Sequence, residues 1–407
     1  MQLFARSDDA QRTRPRRGRG ALPLAVIVAA FALLGASACA PTPPDAKGTD
    51  PSAAPRAGEA AYTAAGPHAV GVTTMTVDDR KIEVWYPADA AAAASTPRDS
   101  YRIRTFVPTW LTALLPADLD PVYVTNAHRD VAADRSAAPY PLVLFSHGLA
   151  SFRLQSTEIT THLASWGFVV VSAEYLDRGL QAILGEPPAV SKPDSVVADE
   201  AIRAVRAAND ASTGPLAGPL VGMVRPNEVH PIGHSAGGAT SLALLDRPDV
   251  HDAIAISMGM VPLVSDLGLF HPPADKSVMY IGGAQDKVLP VDWLRSAYAH
   301  TPGQKKLMEM SVAGHINGFT DLCDVGEGGI SGLARSAGLP IPSFLLDLGD
   351  DGCPHPPNTP NSILAPQVEH LLTAELRYRS GLDPEPVGLG DQVRSQLPNL
   401  TAYHHAP

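Results

Sequence analysis

The 407-residue sequence predicts one large α/β domain, a mostly parallel eight-stranded sheet with helices on both faces. Three observations carry that reading. Continuous apolar runs at 141–146, 168–173 and 277–282 have the character of strands buried on both sides, which is how parallel sheets are written. Segments with helical composition alternate with these runs, the pattern of βαβ units. Between one run and one such segment stands Gly233-His234-Ser235-Ala236-Gly237. A serine on a sharp strand-to-helix turn needs glycine two residues to either side, because a Cβ there would strike neighbouring backbone.

In chain order, the predicted strands lie near 68–75, 81–86, 141–146, 168–173, 229–232, 253–257, 277–282 and 307–312. The predicted helices lie near 154–165, 194–209, 236–246, 290–300 and 365–379; Ala239 and Leu242 favour helix, and Pro248 stops the third of them. No internal repeat is present, and 66–380 reads as one catalytic domain followed by a tail at 381–407.

The first 38 residues carry six arginines, then an apolar stretch at 21–34, then Gly35-Ala36-Ser37-Ala38-Cys39. That order reads as an export signal, with Cys39 as a lipid-acceptor cysteine; ordinary cleavage near Ala38 or Ala40, giving a secreted protein, is the alternative. Residues 39–65 are rich in Pro, Ala and Gly and read as a flexible linker that would hold a globular domain off a membrane surface. Loss of residues 1–38 removes six arginines and two aspartates and takes the formal net charge from −11 to −15. So acidic a chain is not expected to bind nucleic acid.

A serine hydroxyl is a weak nucleophile and needs a base, an acid to orient the base, and donors for the developing oxyanion. Asp286 leaves the C-terminal end of the 277–282 strand and is the candidate acid, with Asp292 in reserve. His315 follows the 307–312 strand through Gly314 and is the candidate base. The order Ser235, Asp286, His315 is that of the α/β-hydrolases. Candidate oxyanion donors are the backbone N–H groups of Ala236 and of Leu149, the latter in the His147-Gly148-Leu149-Ala150 loop. His147 is expected to pin that loop. No ligand cluster suggests a metal there, and the chemistry requires no cofactor.

An insertion at 101–140 carries Trp110 among apolar neighbours. It reads either as a lid or pocket wall over Ser235, or as a helix packed on the domain; Phe152 is a second candidate for the pocket wall. If Cys39 is acylated, Cys323 and Cys353 remain as a disulfide candidate in a Gly- and Pro-rich stretch, the alternative being two free thiols.

With these residues placed, the chain resembles the plasma-type platelet-activating factor acetylhydrolases and their bacterial esterase relatives. The likeness rests on Phe145-Ser146-His147-Gly148-Leu149, on Ser151-Phe152-Arg153, and on Leu163-Ala164-Ser165-Trp166-Gly167-Phe168. It also rests on Gly66-Pro67-His68 and on Val84-Trp85-Tyr86-Pro87. The resemblance implies hydrolysis of carboxylic esters through an acyl-enzyme, on a short-acyl lipid or related ester. Polyester or long-chain lipase activity, amide cleavage, and an inactive lipid-anchored binding protein on the same fold are the alternatives.

Overall fold

The computed structural model describes residues 59–406, apart from 214–217, 262–263, 265–266, 268–270 and 355–357. The signal segment, Cys39 and most of the linker lie outside the described residues. The strands are β1 (Ala69–Val77), β2 (Arg80–Ala88), β3 (Arg98–Arg102), β4 (Val122–Arg129), β5 (Leu142–Ser146), β6 (Val169–Ala173), β7 (His230–His234), β8 (Asp252–Ile256), β9 (Ser277–Gly283), β10 (Lys305–Met310) and β11 (Leu400–Ala406). They form one sheet in the order β11-β10-β9-β8-β7-β5-β6-β2-β1-β4-β3. The block from β10 to β6 is parallel throughout.

Why the central strands are uniformly apolar follows from their period of two. In β5, Val143 and Phe145 face one core while Leu142 and Leu144 face a second on the other side of the sheet. The first core is closed by helices α1 (Thr157–Ser165) and α7 (Asn361–Arg379), the second by α2 (Asp194–Asp210). Helices α3 (Ala236–Ala243) and α4 (Val291–His300) connect the central strands, and α5 (Gly329–Ser336) and α6 (Ser343–Asp350) follow β10.

The fold is that of the α/β-hydrolases, with three strands more than expected. β3 and β4 come from the 101–140 insertion and its approach. Their side chains are mostly polar and few are buried, as suits strands at the edge of the sheet, so an apolar criterion passes over them. β11 comes from the expected tail and pairs antiparallel with β10 across a register shift at Glu309/Met310. The domain limits move accordingly. Tyr62, placed by sequence in the linker, is 1% exposed, packs edge-on against Trp166 and donates its hydroxyl to Asp383 of the tail. Arg377 lies over the Tyr62 ring and pairs with the same Asp383 at 2.7 Å, so the end of the linker and the start of the tail are one packed unit.

Candidate active site

The turn after β7 shows why its glycines are required. Ser235 adopts φ +56°, ψ −122°, outside the regions that side chains prefer. A Cβ on Gly233 would lie 2.2 Å from the Gly237 carbonyl oxygen, and one on Gly237 would lie 1.9 Å from that of Ser146. The Ser235 N–H donates to the Ile256 carbonyl at 2.8 Å, locking the turn to β8. Such a strained residue, held by its neighbours, presents its side chain above the sheet.

Asp286 and His315 leave the C-terminal ends of the adjacent strands β9 and β10. Asp286 accepts from Val288 and Leu289 N–H on one oxygen, at 2.9 and 2.7 Å, while its other oxygen meets His315 Nδ1 at 2.8 Å. One side chain thus both caps the turn that follows it and orients the imidazole. Both residues are buried, at 7% and 1% exposed. With Nδ1 on a carboxylate, the imidazole has its orientation fixed, and Nε2 is buried without a hydrogen-bond partner among the described residues. His315 and Ser235 line the same cavity. Asp292, the reserve, pairs instead with Arg295 and is largely exposed.

The loop after β5 is fixed from several sides. His147 Nδ1–H donates to the Gly148 carbonyl at 2.9 Å, and its Nε2 accepts from Tyr175 N–H at 3.0 Å. Burial, with Arg178 adding to it, holds this imidazole neutral far below its usual range, which suits one donor and one acceptor. Gln155 accepts from Gly148 N–H at 2.8 Å, and Ala150 takes φ +53°. Leu149 faces the cavity, and Ala236 opens α3, where the first N–H groups of a helix have no partner within it. Asp177 and Arg178, adjacent after β6, do not pair with each other: Asp177 meets Arg80, and Arg178 meets Asp194.

Two sequence-based pocket residues move. Phe152 is 1% exposed and stacks on Phe106 at 4.3 Å in the core beneath the loop, away from the cavity wall. Trp110 is 45% exposed and its indole donates outward to the Leu184 carbonyl. The wall is built instead by neighbours in the same insertion, Ile103, Val107, Leu111 and Leu115, opposite Leu333, Ile341 and Leu345 of the 330–349 segment. Cys323 and Cys353 form a disulfide with Cα atoms 5.1 Å apart, and it closes the loop that contains α5 and α6. Among the described residues no group of three or more His, Cys, Asp or Glu side chains is arranged to hold a metal ion.

Two site residues escaped the sequence reading. His234, inside the Gly-His-Ser-Ala-Gly turn, donates from Nε2 to the His315 carbonyl at 2.8 Å and packs 4.8 Å from its ring. Burial first, then the neighbouring His315 ring, pushes its pKa down to about 3, so it serves as a neutral strut. Asp351 accepts from the His315 N–H at 2.8 Å. Only the variable position of the motif marks the first, and no local pattern marks the second.

The sheet, the strained serine turn and the paired Asp286 and His315 on the two following strand ends define an α/β-hydrolase-fold protein with the layout of a serine hydrolase site. Over residues 57–186 the chain matches the family model of platelet-activating factor acetylhydrolase, isoform II. It is 31% identical over 130 residues to the platelet-activating factor acetylhydrolase of Gallus gallus, a stretch that covers 29% of this chain and 30% of that relative's length. The ferulic acid esterase of Streptomyces cinnamoneus superposes with a TM-score of 0.54 at 18% identity, covering 83% of this chain and 98% of that one. The family match takes in the Leu149 loop and ends before Ser235, so it and the placement of Ser235, Asp286 and His315 are independent observations.

Proposed function

We propose that the chain is a serine carboxylic ester hydrolase that works through an acyl-enzyme. The observation that carries this is the 2.8 Å Asp286–His315 contact, with Nε2 unpaired and Ser235 on the wall of the same cavity. Ser235 Oγ attacks the ester carbonyl and its proton passes to His315 Nε2. Asp286 holds the ring and stabilises the imidazolium, and the N–H groups of Leu149 and Ala236 receive the oxyanion. Collapse expels the alcohol with that proton, and water activated by the same imidazole then releases the acid. The likeness to an acetylhydrolase and to an esterase supports this class of reaction.

The acyl group is aliphatic. The cavity wall carries no Asp, Glu, Lys, Arg, Phe, Tyr or Trp side chain among its described residues, whereas Leu and Ile come from both the 103–115 and the 330–349 segments. Hydrolysis of p-nitrophenyl esters from acetate to palmitate by the full-length protein, beside Ser235→Ala, tests both parts. Turnover is expected to vanish in the variant, and the preferred chain length measures the depth of the wall. If no ester is cleaved, amide cleavage or a binding role on this fold replaces the proposal. We further propose that residues 1–38 direct export and that acylated Cys39 holds the enzyme at the cell envelope, for which the arginines, the apolar stretch and the small residues before Cys39 are the support. Failure of Cys39→Ala to abolish incorporation of labelled fatty acid would sink it.

A further inference from the structure

The loops bearing Asp286 and His315 come from neighbouring strands, and a third segment, the turn after α6, closes over both. Its Asp351 is 8% exposed. One carboxylate oxygen, Oδ2, accepts from His315 N–H at 2.8 Å and from Lys287 N–H, one residue past Asp286, at 3.0 Å. The Asp351 carbonyl accepts from Ile316 N–H at 2.9 Å. A single residue thus bonds to the chain beside the acid and to the chain of the base.

The fit around it leaves little slack. Gly352 takes φ +87°, and a Cβ there would lie 2.0 Å from Asn317 Oδ1 and 2.7 Å from Gly314 N. Asn317 Oδ1 itself accepts from Gly314 N–H at 2.7 Å, which steadies the residue before His315. One position further on, Cys353 is joined to Cys323. The carboxylate is therefore delivered by a segment that is anchored covalently on one side and packed glycine against glycine on the other.

We propose that Asp351 is a positioning residue of the site, acting through Asp286 and His315 to set the spacing of their two loops. The proposal rests on the Ser235–His315–Asp286 reading. Two N–H groups, the buried one of His315 and the part-buried one of Lys287, converge on one carboxylate oxygen in charge-assisted bonds, stronger than those an amide oxygen accepts. Loosening them lets the imidazole shift against Ser235, and a displacement of about 1 Å in such a site costs on the order of a hundredfold in rate. The groups facing His315 are Asp286 at Nδ1, Asp351 at the backbone N–H and the neutral His234 ring.

The test compares full-length wild type, Asp351→Asn and Asp351→Ser. It measures the rate of Ser235 labelling by a fluorophosphonate probe, kcat and KM on p-nitrophenyl butyrate, and near-UV circular dichroism. The expected result in folded Asp351→Asn is labelling and kcat lowered at least about tenfold, with KM changed less than about threefold. Labelling at the wild-type rate in either folded variant overturns the proposal, as does a loss carried by KM with kcat unchanged. Misfolding of both variants also overturns it, because Asp351 is then a stability residue. Absence of labelling in the wild type overturns the serine hydrolase reading itself, and this inference with it.

Discussion

The two halves of the site are built differently. Ser235, Asp286 and His315 stand at the ends of β7, β9 and β10, and backbone hydrogen bonds hold their turns: Ser235 to Ile256, Ala284 to Met310, Gln285 to Ala313. Most of the cavity wall comes from two segments, 103–115 and 330–349, which meet the cavity mainly through aliphatic side chains. The catalytic half depends on backbone positions that tolerate little substitution, as the 1.9 Å approach at Gly237 shows. The wall half depends on apolar volume, which many sequences supply. Chemistry and acyl selectivity should therefore separate under mutation.

The strongest way to break that separation is through Asp286. Asp286→Asn leaves an acceptor for the Val288 and Leu289 N–H groups but presents the wrong partner to His315 Nδ1, and kcat should fall by about 10⁴ on every chain length alike. Steady-state kinetics over the ester series checks this. A loss that depends on acyl length would mean that the two halves are not independent. The complementary change is Leu345→Ala in α6, on the wall and 9% exposed. A vacated leucine volume should move the preferred ester toward longer chains by about tenfold in relative kcat/KM, with acetate turnover nearly constant. A uniform fall across the series would place Leu345 in the catalytic half.

The same division explains what could be read from the sequence. Gly233 and Gly237 flag the serine because steric exclusion leaves no other residue there, and the apolar runs at β5 and β9 flag the strands that lead into the 147–150 loop and Asp286. Leu149, Asp286 and His315 follow from strand order. The wall was misread at Trp110 and Phe152 because residues alternating along a short helix or turn differ in facing, and local sequence gives composition without facing. Leu111, one residue from Trp110, is the one that faces the cavity. Asp351 was invisible for another reason: its partners lie 36 and 64 residues away along the chain, and only tertiary packing joins them. β3, β4 and β11 escaped because edge strands can be polar.

The smallest effect expected lies at the far end of the serine's own strand. His230 opens β7 with Nδ1 2.7 Å from Asp252 at the start of β8, and each is 3% exposed. Burial alone lowers the His230 pKa, but the Asp252 carboxylate, through its charge and the hydrogen bond, outweighs burial and raises it; Glu228 adds to the rise and Arg225 opposes it. A folded value above the unfolded one, about 6.5, means that the pair's contribution to stability is complete below that pH. It is lost as pH rises through the folded value. Thermal unfolding between about pH 6 and pH 9 should therefore show a wild-type midpoint that declines relative to His230→Gln, by stability on the order of 1 kcal/mol. A constant gap between the two would show that His230 does not titrate with folding. Ester turnover at a fixed pH should stay within about twofold, because the Ser235 turn is tied to Ile256 at the other end of β8. A pH-dependent loss of kcat in His230→Gln would instead show strain travelling along β7 into the serine turn.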